Sequence, residues 1–120
     1  MVYKHIVMWE FKEQHNGKSA LENARWMKEQ LEALVGVVPE LLSAEVGISP
    51  ALEQAAAVPS NAAAVPAQAA SGEYDACLVS TFASPEALAA YKVHPKHKAI
   101  SAYCKEARLK RLAFDWWSEE

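Results

Sequence analysis

Residues 2–11, VYKHIVMWEF, alternate in side-chain character and are rich in β-branched and aromatic residues, which predicts a strand. His5, Val7, Trp9 and Phe11 fall on one face, and Lys4, Ile6 and Met8 on the other. Both faces are largely apolar, so both need cover. The segment KEQHNGK then breaks the pattern with the turn pair Asn16-Gly17 and leaves His15 among solvated polar residues. Ser19 and Glu22 have the spacing of a capping box, opening a helix with Ala20, Ala24, Met27, Leu31, Leu34 and Val38 on one stripe. Gly36 and Pro39 end it.

A second strand is expected at 42–49, weakened by Gly47, and a third at 73–83. The third places Tyr74, Ala76, Leu78, Ser80 and Phe82 on one face and Asp75, Cys77, Val79 and Thr81 on the other. Ser84 and Pro85 start a helix that runs to about Lys92. Pro95 forces His94 into an extended conformation, so this helix breaks at Val93-His94 and resumes from Pro95 to about Glu106. RLKRLAFDWW, residues 108–117, alternates again as a fourth strand. Between the second and third strands, residues 50–72 hold three prolines, no Lys or Arg, and a run of alanines. Such a stretch is expected to be a mobile insertion, with at most a helical turn at ALEQAAA.

The predicted order is β-α-β-β-α-β with the second helix split: an α+β, ferredoxin-like single domain covering residues 1–120. Its helices cover one sheet face. The apolar second face of the first strand therefore calls for a partner subunit, and Trp116 and Trp117 are expected at that interface.

Composition narrows the function classes. Of 120 residues 52% are hydrophobic and 22% charged, as in a globular chain. A net charge of −3 without a basic run predicts no nucleic-acid partner. No stretch reaches the ~20 apolar residues of a membrane span, and no secretory leader is visible. Cys77 and Cys104, 27 positions apart, read as buried apolar thiols in a reducing, cytoplasmic setting. No phosphate loop, nucleophile elbow or spaced carboxylate pair appears.

Candidate chemistry concentrates in YKVHPKHKAISAY, residues 91–103. Three readings of His94 and His97 stand together. They are helix-start residues holding the break; or His97 is a general base near a helix N-terminus, which disfavours the imidazolium, with Tyr91 donating a hydrogen bond; or the pair begins a metal site completed by His5, Asp75 or Glu86. His5, on the helix-facing side of the first strand, either orients the catalytic pair or is a core histidine.

Several motifs resemble one family. They are the opening VYKHIVMWEF, GVVPELL after the first helix, YDACLVSTF followed by SPEALAAY, and HPKH. Together they resemble the stress-responsive A/B barrel domain family of the dimeric α+β barrel superfamily. The resemblance implies a homodimer with a small cavity between sheet and helices, no cofactor, and a small apolar or carbonyl-containing ligand. The family includes plant polyketide cyclases, which close poly-β-ketones by aldol chemistry. By that resemblance His97 is the base, Tyr91 the hydrogen-bond donor and His5 a supporting residue. Trp9, Met27, Leu78 and His94 are the expected cavity wall. Ala76 stands where those cyclases carry a further histidine, and Trp9 and Trp26 are expected to narrow the cavity.

Overall fold

The computed structural model describes residues 1–57 and 73–119. Strand β1 (Val2–Phe11) leads into a short hairpin of β2 (Gln14–His15) and β3 (Lys18–Ser19). Asn16 and Gly17 form its turn with φ of 56° and 74°, the left-handed pair that a two-residue hairpin of this hand requires. Helix α1 (Ala20–Glu32) begins at the anticipated capping box: the Ser19 hydroxyl accepts from the Glu22 amide, and the Glu22 carboxylate accepts from the Ser19 amide. The helix stops one turn earlier than its apolar stripe suggests. Leu34 and Val38 are still buried, but they reach the core from a turn segment in which Gly36 takes φ of 86°.

β4 (Ser43–Ile48) follows, then α2 (Pro50–Ala57). The expected insertion thus opens with a helix of eight residues; its remainder, 58–72, lies outside the described residues. Proline at the first position of α2 costs no hydrogen bond, which is why the alanine-rich stretch can helicise directly after Ser49. β5 (Ala76–Phe82), α3 (Pro85–Val93), α4 (Pro95–Ala107) and β6 (Arg108–Ser118) complete the chain.

The main sheet has the order β4-β5-β1-β6 and is antiparallel throughout. Counting only its four strands, this is the ferredoxin-like order. α1, α3 and α4 pack on one face. Val7, Trp9 and Phe11 of β1, Ala76, Leu78 and Phe82 of β5, and Ala24, Met27 and Leu31 of α1 form the core between the layers.

Among the described residues nothing covers the sheet's other face. It carries Ile6 and Met8, Cys77 and Val79, and Leu112, Phe114 and Trp116 in adjacent registers. Phe114 is 63% exposed and Leu112 51%. Trp116 lies on this face beside Phe114. Trp117, expected there too, does not: adjacent strand residues point to opposite faces, and it packs edge-on against Tyr3 on the helix side. Cys77 also differs from expectation, being half-buried on the uncovered face. No helix among the described residues is long and apolar enough to cross a membrane.

Candidate functional site

Between sheet and helices lies a cavity of about 300 Å³. Its floor is His5, Val7 and Trp9 of β1 with Leu78 of β5. α4 supplies the facing wall through His97, Ile100, Ser101, Cys104 and Lys105. Lys92 closes the end near the helix break, and Arg108 and Arg111 of β6 form the opposite rim. Trp9 is therefore a wall of the cavity and does not fill it. Trp26, expected to narrow the space, instead packs at a tilt against Tyr103 with ring centroids 4.6 Å apart.

The helix break builds the end of the cavity that holds His97. Pro95 prevents α3 from continuing, and His94 becomes the N-cap of α4, its Nδ1 accepting from the Lys96 amide at 3.2 Å. His94 thus caps α4 and is absent from the cavity wall. The break also frees the carbonyl of Lys92, and Nδ1 of His97 donates to it at 3.1 Å. A carbonyl can only accept, so Nδ1 carries the hydrogen and the neutral ring presents its lone pair on Nε2. Burial holds His97 below the ordinary imidazole pKa, outweighing the Lys92 carbonyl, with the nearby His5, Lys92 and Arg111 charges adding to the lowering.

His5 has the same polarity. The β1–β6 register sets it directly opposite Asp115, and its Nδ1 lies 2.5 Å from Oδ1 of that carboxylate. The carboxylate fixes the Nδ1–H tautomer and leaves Nε2 as the acceptor. Burial lowers the His5 pKa, and Asp115 opposes that only in part. Ser80 donates to the His5 carbonyl and anchors this part of β1.

Tyr91 is placed differently from the expected donor. It is 1% exposed, and its ring sits between Phe82, at 5.1 Å, and His97, at 4.3 Å. Its hydroxyl is buried without a hydrogen-bond partner among the described residues, and burial pushes the phenol well above its usual pKa. The structure therefore brings Tyr91 against the back of His97, outside the cavity wall. Met27, also expected in the wall, is fully buried under α1. Cys104 does reach the cavity, but burial pushes its thiol up to about 12, so it stays protonated at neutral pH.

The remaining histidine is not solvated as anticipated. His15 is half-buried and meets the Tyr103 ring edge-on. Tyr103 in turn donates to Asn23, which donates to the His15 carbonyl, so a buried amide ties the hairpin to α1 and α4. Asp75, a possible metal ligand, accepts from the Phe11 amide at the other end of β1. Among the described residues no three His, Cys, Asp or Glu side chains gather as a metal site requires. Sequence alone did not point to Asp115 or to the four cations of the cavity wall. The β1–β6 pairing could have found Asp115, since it is opposite His5 once Trp9 is set against Arg111.

The profile of the Stress responsive A/B Barrel Domain matches residues 3–118. No curated protein matches the sequence. Several solved structures do match in fold. A dimeric ferredoxin-like protein from Bacteroides fragilis is 20% identical, with a TM-score of 0.71, covering 98% of this chain and 96% of its own. A dimeric ferredoxin-like protein from Jannaschia is 23% identical, with a TM-score of 0.67 and coverage of 98% and 100%. Hydroxynitrile lyase from Passiflora edulis is 16% identical, with a TM-score of 0.68 and coverage of 99% and 95%.

Proposed function

The chain belongs to the stress-responsive A/B barrel domain family, and we propose that it binds a small carbonyl-containing ligand beside His97 and exchanges a proton with it. The observation that carries this is the hydrogen bond between His97 and the Lys92 carbonyl, which sets the tautomer. The Nδ1–H of His97 is spent on the Lys92 carbonyl, and the Nε2 lone pair belongs to a ring that lines the cavity. A base with a lowered pKa is unprotonated at neutral pH and ready to accept.

The step that follows is simple. Nε2 takes a proton from a carbon between two carbonyls, and the C–H electron pair moves into an enolate. The cations at the cavity rim stabilise that charge, and the imidazolium returns the proton to the carbon or to an oxygen. No cofactor takes part in this reading. His5 supports it as a second imidazole whose tautomer is set by Asp115. Tyr91 serves as a positioning residue, since its ring backs His97 while its hydroxyl lies outside the wall.

The cavity is at the lower end of the range for small-molecule sites, which suits a compact ligand. Likeness to a hydroxynitrile lyase at 16% identity supports the fold as a host for small-molecule chemistry and says nothing of this substrate.

The test is deuterium exchange at the central carbon of acetylacetone, followed by NMR, with wild type, His97→Gln and His5→Gln. We expect exchange to fall by about a hundredfold or more in His97→Gln, with the fold intact by circular dichroism. Unchanged exchange in that variant overturns the base assignment.

We further propose that a second copy of the chain covers the apolar sheet face, as the dimeric relatives suggest. Phe114, Leu112 and Ile6 would then leave water on both subunits, with no burial of charge at the centre of the patch.

A further inference from the structure

We infer that the ligand of this cavity is an organic anion, a small carboxylate that also carries a carbonyl, with its carboxylate held at the rim by Arg108, Arg111 and Lys105. This rests on the preceding reading of the same cavity and adds the substrate class.

The cavity wall includes four permanent cations and, among the described residues, no aspartate or glutamate. They come from three elements: Lys92 from the end of α3, Lys105 from α4, and Arg108 and Arg111 from β6. A chain of net charge −3 has thus gathered a third of its twelve Lys and Arg residues around one small space. Among the described residues none of the four is paired with a carboxylate, whereas Lys28 pairs with Glu32 and Lys110 with Glu73. The nearest acid on β6, Asp115, is already engaged by His5.

Position adds to the argument. Arg111 is opposite Trp9 in the β1–β6 register, so its side chain leaves the sheet on the cavity side. It stays exposed at the rim, and partial desolvation there is the first cause of its lowered pKa, with Arg108 adding to the lowering and Asp115 opposing it. A partly desolvated guanidinium attracts an anion more strongly than a solvated one and offers it two parallel donors. Charges of the same sign also face both imidazoles, since Lys92 and Arg111 disfavour their protonation. The field that seats a carboxylate therefore keeps the base neutral and stabilises an enolate. A neutral ligand would use neither effect in binding.

The test compares acetoacetate with acetylacetone, which differ mainly by the carboxylate. Both are titrated into the full chain, with the imidazole NMR signals of His97 and His5 read out. We expect acetoacetate to saturate those signals at about tenfold lower concentration. Arg111→Gln should remove that advantage, bringing acetoacetate to the concentration acetylacetone requires, and Lys18→Gln, on the distant hairpin, should alter neither. Should Arg111→Gln fail to fold, added salt in wild type gives the same answer: it should weaken acetoacetate and spare acetylacetone. Equal affinities in wild type overturn the anion assignment and leave the carbonyl-binding reading standing. Inorganic phosphate displacing acetoacetate at lower concentration than acetoacetate itself requires overturns the carboxylate assignment. Silence from both compounds overturns this inference together with the reading beneath it.

Discussion

Two imidazoles with the same hydrogen-bonding polarity define the residue scale. In His5 and His97 alike, Nδ1–H is committed to an oxygen and burial lowers the pKa. The consequence for stability has a definite sign. In the unfolded chain each imidazole gains its proton near about pH 6.5. In the folded chain the proton is resisted, so the unfolded state binds more protons over that interval. Stability is then level above the unfolded pKa and falls as pH drops through it, until the lowered folded pKa is reached. We expect the melting temperature to decline from roughly pH 7 to roughly pH 5, and the decline to shrink in His97→Gln. Scanning calorimetry across that range checks it; a slope identical in wild type and variant sinks the attribution. The charges facing these rings are Lys92 and Arg111 for both, with Asp115 on His5 and His5 itself on His97. Tyr91 makes the second case at this scale. Its buried hydroxyl lacks a partner, so Tyr91→Phe should raise stability by about 1 kcal/mol and leave proton exchange nearly intact. A hydrogen-bond donor role would instead show as a large loss of exchange. Tyr91→Leu, which removes the ring against His97, should move the His97 titration where Tyr91→Phe does not.

Among the elements, the break between α3 and α4 matters most for the site. One proline produces three results: α3 ends at Val93, His94 becomes a cap, and the Lys92 carbonyl is left for His97. The cap is separable from the chemistry. His94→Ala should cost about 1 kcal/mol by loss of the bond to the Lys96 amide, and His94→Asp should restore it. Chemical denaturation measures this, and proton exchange should not change in either variant. This break was legible in the sequence because proline acts locally, on its own nitrogen and on the residue before it. The capping box at Ser19 and the alternation of β1 were legible for the same reason. The cavity wall was less so. Met27 and Leu31 share a helical stripe, yet only Leu31 reaches the cavity, and periodicity assigns a face without assigning depth. Asp115 lies 110 positions from His5, and the rim cations come from separate elements. Their meeting depends on strand register and helix packing, which no window of sequence contains.

At the scale of the molecule, the sheet has one face dry and one face wet, and the wet one is apolar. Ile6, Leu112 and Phe114 occupy neighbouring positions there, the first opposite Phe114 in the β1–β6 pairing. Isolated exposed apolar side chains are ordinary, but a contiguous strip across adjacent strands is the pattern of an interface. The alternation of β1 already called for cover on this face, since Ile6 and Met8 fit poorly in a sheet with one solvated face. Phe114→Glu tests the assignment with little risk to the subunit, because Phe114 is mostly exposed and touches the core on the other face only through the backbone. Light scattering should give about twice the chain mass for wild type and the single-chain mass for the variant. The melting temperature of wild type should rise with protein concentration and that of the variant should not, as mass action demands of a fold linked to association. A wild-type chain that scatters as a monomer at all concentrations removes the second copy from the picture. The cavity would survive that result, because its walls come from β1, β5, β6 and the helices of one subunit. Dimerisation would then bear on function only through stiffness: β1 carries His5 on one face and Ile6 on the other, so a partner pressed against Ile6 steadies the strand that holds the imidazole. If so, Phe114→Glu should lower proton exchange modestly while leaving the His97–Lys92 hydrogen bond in place.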